Sequence, residues 1–264
     1  MAVEIEPLPC HSPLVQRSRN LRLENARSAM DLLVALRDVA SALKQLFVEH
    51  QILHRHITYD NVLIRSGADS GVAGVVVDLD FPNPTEGSSR TSTGLGLCDS
   101  LAFQSAKRLT NRVSHAHKHT LQEDLESLFC VLCWTCYGYD HTGGPDKYRP
   151  DWMETWITTR HAETAAPKKK SFLSTPSSSH INRYIGCQRD IMEDIIEQLR
   201  QTVKRNSSDP EKDCARFLTV VEEGIEEIRG ERCGCVLQCN KALPSVVPCK
   251  PSELATTNSP DCIA

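Results

Sequence analysis

No stretch of this sequence approaches the roughly 18 consecutive apolar residues that a membrane-crossing helix needs, so no membrane segment is expected. Basic residues are in no surplus. Thirty Lys and Arg stand against 34 Asp and Glu, for a net charge of −4 and a pI near 6.2. That balance leaves no electrostatic footprint for nucleic acid or an anionic membrane. The opening residues, MAVEIEPLPC, have no basic segment followed by an apolar run. No signal peptide is read, and an intracellular location, cytoplasmic or nuclear, is expected. No internal repeat is visible, and the first 27 residues contain neither glycine nor lysine.

Cysteine is plentiful, at 12 in 264 residues. Without a secretory signal these are read as reduced thiols rather than a disulfide framework. Cys130, Cys133 and Cys136 recur at i, i+3 and i+6 in an apolar segment, which is the pattern of a buried helix face rather than a metal site. Cys233, Cys235, Cys239 and Cys249 have a spacing that matches no common zinc pattern well. With 40% hydrophobic and 24% charged residues, most of the chain is expected to fold around a core.

Local patterns divide the chain. Residues 1–27 have no period and read as a leader. Ser28 with Asp31 forms a capping box, followed by a helical stripe of Leu32, Leu36, Val39, Leu43 and Leu46 that ends near His50. The loop HRHITYDN, His54 to Asn61, comes next. Asn61–Arg65 and Gly74–Asp80 read as the strands of a β-hairpin around the turn residues Ser66–Gly71. From Phe81 to Ser100 the sequence is irregular. Thr120 with Glu123 forms a second capping box, and Leu121, Leu125, Leu128, Phe129 and Leu132 mark a strongly apolar helix. Trp152 and Trp156 open another helical region, and Ile191, Ile195, Ile196 and Leu199 mark a further one. Asp209-Pro210 is a helix start, with Phe217, Val221, Ile225 and Ile228 on the buried face. Little fixed structure is expected in a Cys/Pro/Ser-bearing tail, residues 232–264.

The order of these pieces resembles the C-terminal lobe of a protein kinase, specifically the fungal-type protein kinase domain. The resemblance rests on His54-Arg55-x-Ile57-Thr58-x-x-Asn61, on Val77-Asp78-Leu79-Asp80, and on RTST (Arg90–Thr93) with AFQSAKRL (Ala102–Leu109). It rests also on HTLQEDLESLFCVLCW (His119–Trp134). It runs from about residue 28 to 225. It implies an α+β, mostly helical fold, a kinase-like C-lobe (28–231) whose short hairpin carries a catalytic-loop and a metal-loop equivalent. It implies ATP-dependent phosphoryl transfer to protein Ser or Thr, with Mg²⁺ held by Asp78 and Asn61. Taken singly, Asp78 and Asn61 are ordinary turn residues; their order carries the reading. By the same resemblance Arg55 ties the loop to the activation segment, Asp124 braces the loop backbone, and Thr91, Ser92 and Thr93 are phosphorylation or substrate-loop positions.

Three departures modify that expectation. His56 stands where the family carries its catalytic aspartate. A neutral imidazole can accept a proton, but it is longer, brings no negative charge, and would be disfavoured as imidazolium beside Mg²⁺. Asp60 is not expected to turn inward and replace it. The Gly-rich loop and strand lysine that would clamp ATP find no counterpart in the first 27 residues, so the N-lobe is absent from this sequence and no cofactor-binding residue is assigned. Lys107 replaces the glutamate that closes the activation segment, so that segment is expected to be loose and Lys107 exposed. His115, His117 and His119 read as a polar approach to the helix. A C-lobe fragment without activity by itself is the leading expectation. Alternatives are a pseudokinase-like module that binds a protein partner, or an active kinase whose upstream exons are missing.

Overall fold

The structure, a computed structural model, describes residues 20–67, 71–79, 101–111, 118–140, 142–175, 179–181, 183, 187–205, 207 and 209–239. Asp80, Thr91, Ser92, Thr93, His115, His117 and Cys249 lie outside the described residues.

The architecture is α+β and mostly helical. A three-stranded antiparallel sheet is ordered β1 (Asn20–Arg22), β2 (Val62–Gly67), β3 (Gly71–Val76). The helices are α1 (Ala29–His50), α2 (Ala106–Thr110), α3 (Leu121–Gly138), α4 (Asp151–Thr158), α5 (Ala162–Ser174), α6 (Cys187–Lys204) and α7 (Pro210–Cys239). α1 packs against β3, α3 and α7. α6 packs against α3 and α7, so α3 is the central helix. Among the described residues no helix is long and apolar enough to cross a membrane.

Local chemistry explains the helix bounds. The Ser28 hydroxyl accepts the Asp31 amide at 3.1 Å, which satisfies an otherwise orphan N–H at the start of α1. Gln51 ends α1 in the left-handed region, φ 56°, and its amide reaches back to the Phe47 carbonyl. Both halves of the Thr120–Glu123 capping box are formed at α3. Asp209 accepts the Lys212 amide at 3.0 Å just before Pro210. The stripes read from the sequence are buried, Leu32, Leu36, Val39 and Leu43 on α1, and Leu121, Leu125, Leu128, Phe129 and Leu132 on α3, except that Leu46, near the end of α1, is only half-buried. Cys130, Cys133 and Cys136 are free thiols with no exposure. Burial pushes Cys130 up to about 11 and Cys136 up to about 12, so these thiols stay protonated and pack as small buried side chains.

Three expectations require correction. Asn20–Arg22, inside the supposed leader, pairs with β2 in the register Leu21↔Ile64; a three-residue edge strand is too short to show a period. α7 continues to Cys239, past the tail boundary at 232, because hydrogen bonding along a helix does not stop where the apolar stripe does. Residues 105–110, expected to belong to a loose segment, are also held in place. Lys107 is exposed, but the Ser105 hydroxyl donates to Glu123 Oε1 at 2.8 Å and the Ala106 amide to Glu126 Oε1 at 2.7 Å. Two carboxylates of the central helix do the anchoring.

Glu126 makes this anchor pH-dependent. Burial raises its pKa from 4.5 to about 7, against the lowering effects of the Ala106 amide and Lys169. The folded state therefore holds this proton more tightly than the unfolded chain. The contribution is complete below pH 4.5 and is lost as pH rises through about 7. The difference between those ends is roughly 3 kcal/mol. In urea titrations, wild type minus Glu126→Gln should lose stability steadily across that window; parallel curves would contradict the assignment.

Candidate functional site

The hairpin brings the two loops together. The Val77 amide donates to the Asn61 carbonyl at 2.9 Å, so the residue that ends the HRHITYDN loop lies beside the residue that precedes Asp78. Arg55 (φ 66°) and Asp78 (φ 65°) are two of the three non-glycine residues with positive φ among the described residues. Such backbone costs of the order of 1–3 kcal/mol each and persists only where surrounding contacts hold it.

Asp124 supplies those contacts at the first loop. Its Oδ2 accepts the His54 amide at 2.9 Å and its Oδ1 the Arg55 amide at 2.9 Å. Oδ1 also accepts from His119 Nε2 at 2.8 Å. The carboxylate is 1% exposed and sits in the first turn of α3, where the helix dipole also favours it. His54 carries the bracing to the second loop. Its Nε2 donates to the Val77 carbonyl at 3.0 Å, and its Nδ1 accepts the His56 amide at 3.3 Å. These partners select the neutral Nε2–H tautomer, and burial lowers the His54 pKa further.

The remaining residues lie at the surface of this frame. His56 Nδ1 is 3.6 Å from Asp78 Oδ2 and 3.4 Å from Asn61 Nδ2. Asn61, 8% exposed, donates its amide to the His56 carbonyl at 2.9 Å. The His56 and Asp78 side chains are 50% and 62% exposed. Arg55 is exposed. Asp60 turns outward to Arg22 at 2.9 Å. The structure thus brings His56, Asn61 and Asp78 together, places Asp124 beneath them, and leaves Arg55 at the edge.

For a Mg²⁺ ion this set is a poor fit. Mg²⁺ wants an octahedron of hard oxygen ligands. The described donors are one carboxylate and one amide oxygen, with an imidazole wedged against both. No group of three His, Cys, Asp or Glu side chains among the described residues is arranged to hold a metal ion.

Two residues of the frame had no role assigned from the sequence. His54 was visible only as part of a motif, and nothing local pairs His119 with the loop. The capping box at Thr120 fixes where the preceding residue points, and was the available signal for His119. A third, Lys169, is 1% exposed: Nζ bonds the Ala102 carbonyl, lies 3.2 Å from Cys130 Sγ and sits 3.5 Å over the Trp156 ring. Its place in the buried stripe Ala162, Ala166, Lys169, Leu173 was legible in the helical period.

The site is thus a braced polar loop beside a strand hairpin, held by a carboxylate on the central helix, and the family match of the sequence makes this a kinase-like protein. Residues 9–136, just under half of the chain, match the family described as fungal protein kinase. Over that span, which holds every residue from His54 to Asp124 discussed above, the sequence is that of a fungal-type protein kinase domain. No curated protein matches the chain.

Proposed function

We propose that this chain folds as a kinase-like C-lobe in which the catalytic loop is kept as a rigid scaffold without phosphoryl transfer, and that it serves inside the cell as a module for binding a protein partner. The observation that carries this reading is the His56 imidazole within 3.6 Å of Asp78 and 3.4 Å of Asn61. At the position assigned to the base, a neutral ring replaces a fixed negative charge. It also takes the space between the two residues assigned to the metal. Phosphoryl transfer relies on positioning and charge stabilisation of the phosphates, and this set supplies little of either.

The same geometry favours a binding role. The backbone under Arg55, His56 and Asp78 is pinned from below by Asp124 and His54, while the three side chains face solvent. Polar groups held in place before binding lose little entropy on meeting a partner.

The test is a phosphotransfer assay on a generic Ser/Thr protein substrate, with Asp78→Ala as control, alongside thermal unfolding with and without Mg²⁺-ATP. No Asp78-dependent incorporation and no rise in Tm are expected. Transfer that disappears in Asp78→Ala would establish the alternative, an enzyme using His56 as its base.

A further inference from the structure

Away from the His56 loop, α2, α3, α5 and α6 enclose a cavity of about 380 Å³. That volume is in the range of small-molecule sites. Its charged groups differ in exposure: three lysines are exposed, while Glu123 and Glu126 are buried, Glu123 with both carboxylate oxygens already accepting, from the Ser105 hydroxyl and the Thr120 amide. Lys107, Lys170 and Lys204 line it and are exposed, so their ammonium groups stand at the mouth. None of the three makes an ion pair with a described residue. Two further groups of the lining have acceptor capacity to spare. Glu126 is 6% exposed, and among the described residues its carboxylate is bonded only through Oε1, by the Ala106 amide. Gln122 spends its amide N–H groups on the carbonyls that end α6, Val203 at 2.8 Å among them, and leaves its buried Oε1 with no partner.

We propose that this cavity binds a small phosphomonoester that carries hydroxyl or amine donors at the end away from the phosphate. The three lysines meet the phosphate at the mouth, and the donor end enters first to reach Glu126 and Gln122. This polarity argues against a phosphorylated side chain of a protein. There the phosphate is the tip and would be driven toward the Glu126 carboxylate, whereas a free monoester can enter by its other end. The lysines, without ion-pair partners among the described residues, account for the anion, and the partnerless Gln122 oxygen with the second Glu126 oxygen accounts for the donors. Neither observation depends on the reading of the His56 loop.

Pyridoxal 5′-phosphate tests the site on the full chain. It joins a phosphate to an aldehyde, which condenses with a lysine amine to an imine and water; borohydride then fixes the adduct for mass spectrometry. At limiting reagent, labelling should concentrate on Lys107, Lys170 or Lys204, at least tenfold over exposed lysines elsewhere such as Lys147 and Lys212. Glycerol 3-phosphate should protect at a concentration at least tenfold below that of inorganic phosphate, because only the ester brings hydroxyl donors to the floor. Glu126→Ala, checked for an intact fold by circular dichroism, should abolish that tenfold advantage and leave protection by inorganic phosphate in place. Labelling spread evenly over exposed lysines would overturn the proposal. So would glycerol 3-phosphate protecting no better than phosphate.

Discussion

Replacing Asp124 with alanine should destabilise the fold by about 4 kcal/mol, the cost of leaving two loop amides without an acceptor at roughly 2 kcal/mol each. Both amides, of His54 and Arg55, are aimed at a carboxylate that is 1% exposed. Water has no easy route to replace it. Arg55 is also held at φ 66°, so the loop should relax toward ordinary backbone once released. His119 Nε2 loses its acceptor in the same substitution. Asp124→Asn keeps one oxygen and should lose about half as much. Urea unfolding measures the total, and amide hydrogen exchange at His54 and Arg55 locates it. Asp60→Ala is the control: its partner Arg22 and Asp60 itself are both more than half exposed, and such pairs contribute between 0 and about 1 kcal/mol. An Asp124→Ala loss no larger than that of Asp60→Ala would mean the loop is not braced from α3.

A single methyl group at Gly74 should be nearly as damaging. A Cβ built there would lie 2.0 Å from the Ala35 carbonyl oxygen and 2.7 Å from its carbon. These are backbone atoms of α1, so no side-chain rotation relieves the clash; α1 and β3 must separate. The Gly74 amide also donates to Asp38 Oδ2 at 3.0 Å, and that bond fixes the same close approach. Gly74→Ala should cost at least about 3 kcal/mol and lower Tm by roughly 6–12 °C. Gly230→Ala is the contrasting case. Nothing lies within 4 Å of its added Cβ, and a helical Gly→Ala change without a clash should stabilise by about 0.5–1 kcal/mol. If the two substitutions behaved alike, the α1–β3 contact would be looser than described.

Much of this protein is written locally. The bounds of α1, the start of α3, the existence of a hairpin between them and the start of α7 follow from capping residues, turn residues and apolar periods, although the hairpin strands, Val62–Gly67 and Gly71–Val76, run into the expected turn at 66–71 and the second stops short of Asp78. Each of these acts over a few neighbouring positions and can be read along the chain. Burial of Leu32, Leu36, Val39 and Leu43, or of Cys130, Cys133 and Cys136, follows from the same periods. The family too was visible in the order of HRHITYDN, VDLD and DLESLF, and residues 9–136 match it.

What depended on the folded molecule is the set of contacts between distant positions. His54 and Asp124 are 70 residues apart, and Ser105 and Glu123 are 18 apart; no local pattern encodes either pair, and only the family resemblance pointed Asp124 at the loop. The three-residue β1 exists because β2 offers it an edge. The anchoring of Ser105 and Ala106 passed to Glu123 and Glu126 because these carboxylates face them from α3. The meeting of three exposed lysines, a buried glutamate and an unsatisfied glutamine around one cavity could not be anticipated either, since they come from four separate helices. Periodicity tells which side of an element is buried. What that side meets, and which polar atoms are left without a partner, is set when the elements pack.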